Sequence, residues 1–141
     1  MIEPLQTTCV CTTLRMATRA IARQYDEALA STGLRTTHYS ILARLRIDGP
    51  APLGQLAARL LMDRTTLARE VQPLIEATLV DVAVGDDKRQ RVLSITESGR
   101  TRLRQARSLW EAAQERVEKS FGAERTEALL DELRALASLD R

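Results

Sequence analysis

The sequence predicts a mainly α-helical domain carrying one small β-ribbon, and three observations lead there. Of its 141 residues 44% are apolar but only four are aromatic, so Leu, Ala, Val and Ile must fill the core, a composition that favours helix packed on helix. Apolar residues recur at spacings of three and four along most of the chain. Between residues 80 and 96 that period falls to two.

In chain order, Leu14, Ala17, Ile21, Tyr25 and Ala28 form the stripe of a first helix over residues 12–31, ending before Ser31-Thr32-Gly33. Thr36 or Thr37 is the expected cap of a second helix with Tyr39, Ile41, Leu42 and Leu45 inward, stopped by Asp48-Gly49-Pro50. A short third helix runs from Leu53 to Leu61. Asp63 caps a fourth, Arg64 to about Thr78, with Leu67, Val71, Leu74 and Ile75 inward and a bend at Pro73. Val80, Val82 and Val84 then alternate with polar or small neighbours, and Val92 to Thr96 alternates again after a charged turn, giving a two-stranded ribbon. Thr96-Glu97-Ser98-Gly99 opens a long helix over residues 97–119, whose Leu103, Ala106, Trp110, Ala113 and Val117 make a heptad-like seam. A last helix over 124–139 is built around Leu129, Leu133 and Leu136. No repeat, low-complexity tract or linker interrupts this order.

Charge is unevenly spread. Residues 1–107 hold 16 Lys/Arg against 11 Asp/Glu, whereas residues 108–141 hold 5 against 8, which suits an anionic partner at one end and another role at the other. No stretch approaches the ~18 apolar residues of a membrane span, and Arg15, Arg19 and Arg23 stand where a signal peptide needs an apolar core. A cytoplasmic protein with no membrane partner is expected. Cys9 and Cys11 are no disulfide framework, and with one histidine they cannot supply the about four ligands of a zinc site. No cofactor or metal is expected.

The third and fourth helices leave about two residues for the turn between them, as a helix-turn-helix requires. With the fourth helix in a major groove, Arg64, Thr65, Thr66, Ala68 and Arg69 face base edges, where arginine forks onto guanine and threonine offers a hydroxyl or a methyl. A polar solvated face explains that pattern nearly as well. The ribbon tips the balance, because Lys88, Arg89 and Arg91 at its turn project cations suited to phosphate and to a narrow minor groove. Asp86 and Asp87 beside them can accept backbone N–H groups or brace an arginine.

"LGQLAARLLMDRTTLAREVQPLIEATLV" followed by "DDKRQRVLSITESG" closely resembles the multiple-antibiotic-resistance regulator (MarR) family of winged-helix repressors, including its D-x-R-x(5)-[LI]-T wing signature as Asp87, Arg89, Ile95 and Thr96. The order of elements also matches across nearly the whole chain. The resemblance implies a winged helix-turn-helix lobe at 36–96, flanked by dimerisation helices at 1–32 and 97–141. It further implies a homodimer on a pseudo-palindromic operator with half-sites about 10 bp apart. Arg64, Thr65, Thr66 and Arg69 would read the major groove, Arg89 would enter the minor groove braced by Asp87, and Lys88 and Arg91 would meet phosphate.

Family members release DNA when a small ligand binds between the dimer helices and the DNA lobe, or when a cysteine is oxidised. Tyr25, His38, Tyr39 and Trp110 are the ligand-contact candidates, with core anchoring the rival role for Tyr39 and Trp110 and a surface or capping role the rival for His38. Cys11, fourteen residues before Tyr25, is similar to the sensor of the organic-hydroperoxide branch, although Thr36 stands where that branch has a second tyrosine and no resolving cysteine lies near the C-terminus. Cys9 and Cys11 together could hold a soft ion only from an irregular segment, and burial of both thiols is the plainer expectation. Two rivals to the regulator are a thiol peroxidase using Cys11 and a non-specific architectural DNA-binding protein.

Overall fold

The computed structural model describes residues 8–139. Helix α1 (Val10–Leu29) leads through a 3₁₀ turn, Ala30–Thr32, to α2 (Thr36–Asp48). Then come β1 (Ala51–Pro52), α3 (Leu53–Arg59), α4 (Arg64–Glu76), β2 (Val80–Val84), β3 (Arg91–Ile95), α5 (Glu97–Phe121) and α6 (Ala123–Ala137). Among the described residues no helix is long and apolar enough to cross a membrane.

The core lies where α2, α3 and α4 meet the sheet. Leu42, Leu45, Leu56, Leu67, Leu74 and Leu93 are each 2% exposed or less, and full burial of such a side chain stabilises by about 1.5–3 kcal/mol. Surface ion pairs contribute about 0–1 kcal/mol each, so the leucines decide the packing of the lobe. The ends of the chain differ: α6 buries only Thr126 fully, and α1 only Tyr25 and Leu29.

The ribbon has a third strand. Ala51 and Pro52 pair antiparallel with Leu93 and Val92, so the sheet order is β1-β3-β2 rather than the expected two strands. Two residues are too few to display a period of two, and Pro52 lacks a backbone donor, so neither signal marked this strand. The cap of α2 also differs from expectation. Arg35 holds the N-cap position; His38 Nδ1 accepts its backbone N–H at 3.2 Å, while Thr36 turns its hydroxyl and its N–H to Asp26. A side chain on a neighbouring helix has out-competed the local cap.

Asp63 and Thr96 cap α4 and α5 as expected, with Asp63 accepting the Thr66 N–H and Thr96 the Gly99 N–H. After α3 and α4 the chain turns through Leu61 and Thr78, both at positive φ, and Met62 and Leu79 donate back to Ala57 and Leu74. These are Schellman-type stops built without glycine. Gly99 is where glycine is required: a Cβ there would collide with the Leu79 carbonyl oxygen and lie 2.8 Å from Ile95 Cγ1. Gly99→Ala is therefore expected to lower the unfolding free energy by about 1–3 kcal/mol, the usual cost of overpacking. Urea denaturation checks it; an unchanged midpoint would show that α5 can leave the sheet freely.

Candidate nucleic-acid interface

Two elements bring the basic residues to the surface. The apolar side of α4, with Leu67, Val71 and Leu74, is buried, which turns Arg64, Thr65, Ala68 and Arg69 outward to solvent. Asp63 fixes the start of that helix. Its Oδ1 accepts the Thr66 N–H at 2.9 Å and its Oδ2 accepts the Thr66 hydroxyl at 2.8 Å. These bonds hold the Asp63 carboxyl below its usual pKa. Thr66 thus belongs to the cap, with its hydroxyl proton engaged and only its oxygen lone pairs left to offer. Arg64 lies across the first turn of α3, where Gly54 leaves room: a Cβ at Gly54 would stand 2.8 Å from Arg64 Cζ.

The wing is the turn between β2 and β3. It closes with Gly85 N–H to Gln90 O at 3.0 Å and Gln90 N–H to Asp87 O at 2.8 Å. Asp87 Oδ1 accepts the Arg89 N–H at 3.0 Å and stands 3.6 Å from Arg89 Nε. One carboxylate therefore shapes the turn and lies beside the guanidinium, whose side chain is 93% exposed. Lys88 and Arg91 are exposed as well. Cations at this tip face water rather than the body of the protein.

Thr96 joins the two elements. Its hydroxyl donates to Thr78 O at 2.7 Å, beyond the end of α4, and accepts the Gly99 N–H at 2.9 Å, while its backbone N–H donates to Leu79 O at 3.1 Å. A single side chain thereby ties the exit of α4, the base of the wing and the start of α5.

The crystal structure of the M. tuberculosis transcriptional regulator MosR in complex with DNA is similar over 93% of this chain and 99% of that one, at 34% identity and a TM-score of 0.76. The chain belongs to the MarR family. The E. coli regulator MarR shares the fold at 18% identity, over 94% of this chain and 98% of that one, with a TM-score of 0.71. The uncharacterized HTH-type transcriptional regulator YwoH of Bacillus subtilis is 29% identical over 84 residues, 60% of this chain, and the match spans 61% of YwoH. No family model matches the chain.

For a MarR-family chain, the residues expected around an effector are dispersed. Tyr39 and Trp110 stack on each other with centroids 5.7 Å apart and planes 8° from parallel, packed against the core. The Tyr25 hydroxyl donates to Gln114 Oε1 on α5, and burial followed by the nearby Glu118 raises its pKa. His38 is buried at the start of α2, its Nε2 3.6 Å from Glu70 Oε2 on α4. These four side chains are engaged with three different sets of partners.

The thiols depart from the expectation of burial, since Cys9 and Cys11 are both exposed. Cys9, not Cys11, occupies the N-cap of α1. Its Sγ accepts the Thr12 N–H at 3.4 Å, and the bonds to Thr12 lower its pKa. Cys11 instead lines an open groove with Val10, Leu14, Arg15 and Leu136. Cys9 stands one residue before the observed start of α1, whereas the apolar stripe begins only at Leu14, so the sequence pattern does not mark it as the N-cap.

Burial, and then Arg35, holds the His38 pKa below 6.5. The unfolded chain takes up a proton near that pH which the folded chain refuses, so stability is expected to fall as pH drops below 6.5. His38→Gln should flatten that limb of the profile. Urea midpoints measured above and below this pH decide it, and equal pH dependence in the two proteins would contradict the assignment.

Proposed function

We propose that this chain is a homodimeric, sequence-specific DNA-binding repressor acting on a pseudo-palindromic operator. The reading is supported by the exposed cations of α4 and of the wing tip, on a chain 34% identical over 93% of its length to MosR, which was crystallised with DNA. Arg64, Thr65 and Arg69, with the Thr66 oxygen, read base edges in the major groove. Arg89 enters the minor groove in an orientation set by Asp87. Lys88 and Arg91 contact phosphate, which sets affinity and its salt dependence without selecting sequence.

Dimerisation follows from the apolar surface that one chain leaves in water. Val10, Met16 and Ile21 of α1, Leu129, Leu130 and Leu136 of α6, and Leu139 just beyond it are each 37% exposed or more. A surface of that kind on two helices at opposite ends of the sequence suits a shared interface about a two-fold axis. The dimer helices are α1, α5 and α6, within the segments expected at 1–32 and 97–141, of which residues 1–7 and 140–141 lie outside the described residues, and the DNA lobe is residues 36–96.

Release of DNA by a small-molecule ligand is the default switch, and oxidation is a second reading favoured by one specific observation. The exposed Cys9 thiol has a lowered pKa at the start of α1, and thiolate character with access is what makes a cysteine oxidise first. Peroxide would convert that thiol to a sulfenic acid, with release of water, and so change the group that caps a helix placed in the dimer interface. A regulator is favoured over a thiol peroxidase using Cys11 because the proteins that this chain resembles are transcriptional regulators.

Arg64→Ala or Arg69→Ala should each lose about 1–3 kcal/mol of base discrimination. Arg89→Ala should abolish a gel shift on the DNA upstream of the protein's own gene. Undiminished preference among operator variants, or equal affinity for random duplex, would overturn the reading in favour of an architectural DNA binder. Cys9→Ser should bind DNA normally and resist peroxide-induced release more than Cys11→Ser does. Release from Cys9→Ser at the rate of the unsubstituted protein would remove the oxidation reading.

A further inference from the structure

A line of polar contacts crosses the lobe from the end of α1 to the middle of α4. Asp26 Oδ1 on α1 accepts both the Thr36 N–H, at 2.7 Å, and the Thr36 hydroxyl, at 2.8 Å. Arg35, the preceding residue, gives its N–H to His38 Nδ1 at 3.2 Å and a guanidinium N–H to Glu70 Oε2 at 3.1 Å. The start of α2 is therefore pinned from one side by α1 and itself pins α4 from the other.

Glu70 stands beside Arg69 in sequence but not in role. Its side chain is 22% exposed and faces the start of α2, whereas Arg69 is exposed on the outer side of the helix. The buried His38 Nε2 has no hydrogen-bond partner and lies 3.6 Å from the same Glu70 oxygen that Arg35 holds. With Nδ1 accepting, the neutral ring carries its proton on Nε2, so a donor is aimed at Glu70 from just beyond bonding distance. A closer approach of α4 to the start of α2 would bring that donor within bonding distance of Glu70.

We propose that Glu70 is a positioning residue for DNA recognition, through which Asp26, Thr36 and Arg35 couple the dimer helix α1 to the reading face of α4. The inference rests on the DNA-binding reading above. It assigns a function to residues outside the basic face, and it supplies the route by which a change at α1 reaches the DNA. The Arg35 side chain is 60% exposed, so this pair contributes little to folding and its loss acts on where α4 sits.

The test is a charge exchange, read as the ratio of operator affinity to random-duplex affinity, with thermal melting as the control for folding. Arg35→Glu and Glu70→Arg should each lower that ratio by about 3- to 10-fold, the range of coupling through one contact. The double variant R35E/E70R should recover it to within about twofold of the unsubstituted protein. Glu70→Gln, which keeps the shape and removes the charge, should show the same loss, and Asp26→Asn should lower the ratio without adding to it. Additive losses in R35E/E70R, or an unchanged ratio in Glu70→Gln, would overturn the proposal. If Arg64→Ala and Arg69→Ala also leave the ratio unchanged, the DNA-binding reading itself fails; if they lower it while the exchange gives no recovery, only the role of Glu70 does.

Discussion

The arrangement depends on one junction, the knot that Thr96 ties between α4, the wing and α5. A helix-turn-helix and a β-ribbon on a flexible connection would each find DNA separately, paying twice for lost freedom. Here the hydroxyl of Thr96 bonds Thr78 just past the end of α4, its N–H bonds Leu79 at the base of the wing, and its oxygen caps α5. Gly99 lets α5 approach the Leu79 carbonyl closely enough for this to happen. The end of α4, the base of the wing and the start of α5 are therefore held together at one residue.

Within that frame the charged residues divide by what they touch. Asp63 and Asp87 shape a helix start and a turn, and Glu70 pairs with Arg35 at the start of α2. Arg64, Arg69, Lys88, Arg89 and Arg91 keep their outer surfaces in water. This division leaves those five cations exposed on a chain of net charge only +2. Asp63 and Asp87 accept backbone N–H groups and Glu70 accepts from Arg35, while the arginines of α4 and the wing stay exposed.

Much of this was legible in the sequence because it rests on local signals. The 3.6-residue stripes located the helices, Asp63 and Thr96 announced their caps, and the change of period at Val80 announced the wing, all within a residue or two of the observed bounds. The bracing of Arg89 by Asp87 is also local, a matter of two residues in one turn. What escaped is what needs distant residues. Strand β1 is defined only by its partner β3, the cap of α2 was redirected by Asp26 ten residues away, and Glu70 meets Arg35 across thirty-five positions. The exposure of Cys9 and Cys11 likewise depends on how little of α1 the rest of the chain covers.

The central claim is that α4 and the wing form a single DNA-reading surface presented twice by paired chains. Footprinting on the DNA upstream of the protein's own gene, with major-groove methylation and minor-groove hydroxyl-radical probes, tests it directly. The account predicts two protected major-groove patches about 10 bp apart, each accompanied by a protected minor-groove segment. One unpaired patch, or protection spread evenly along the duplex, would contradict it.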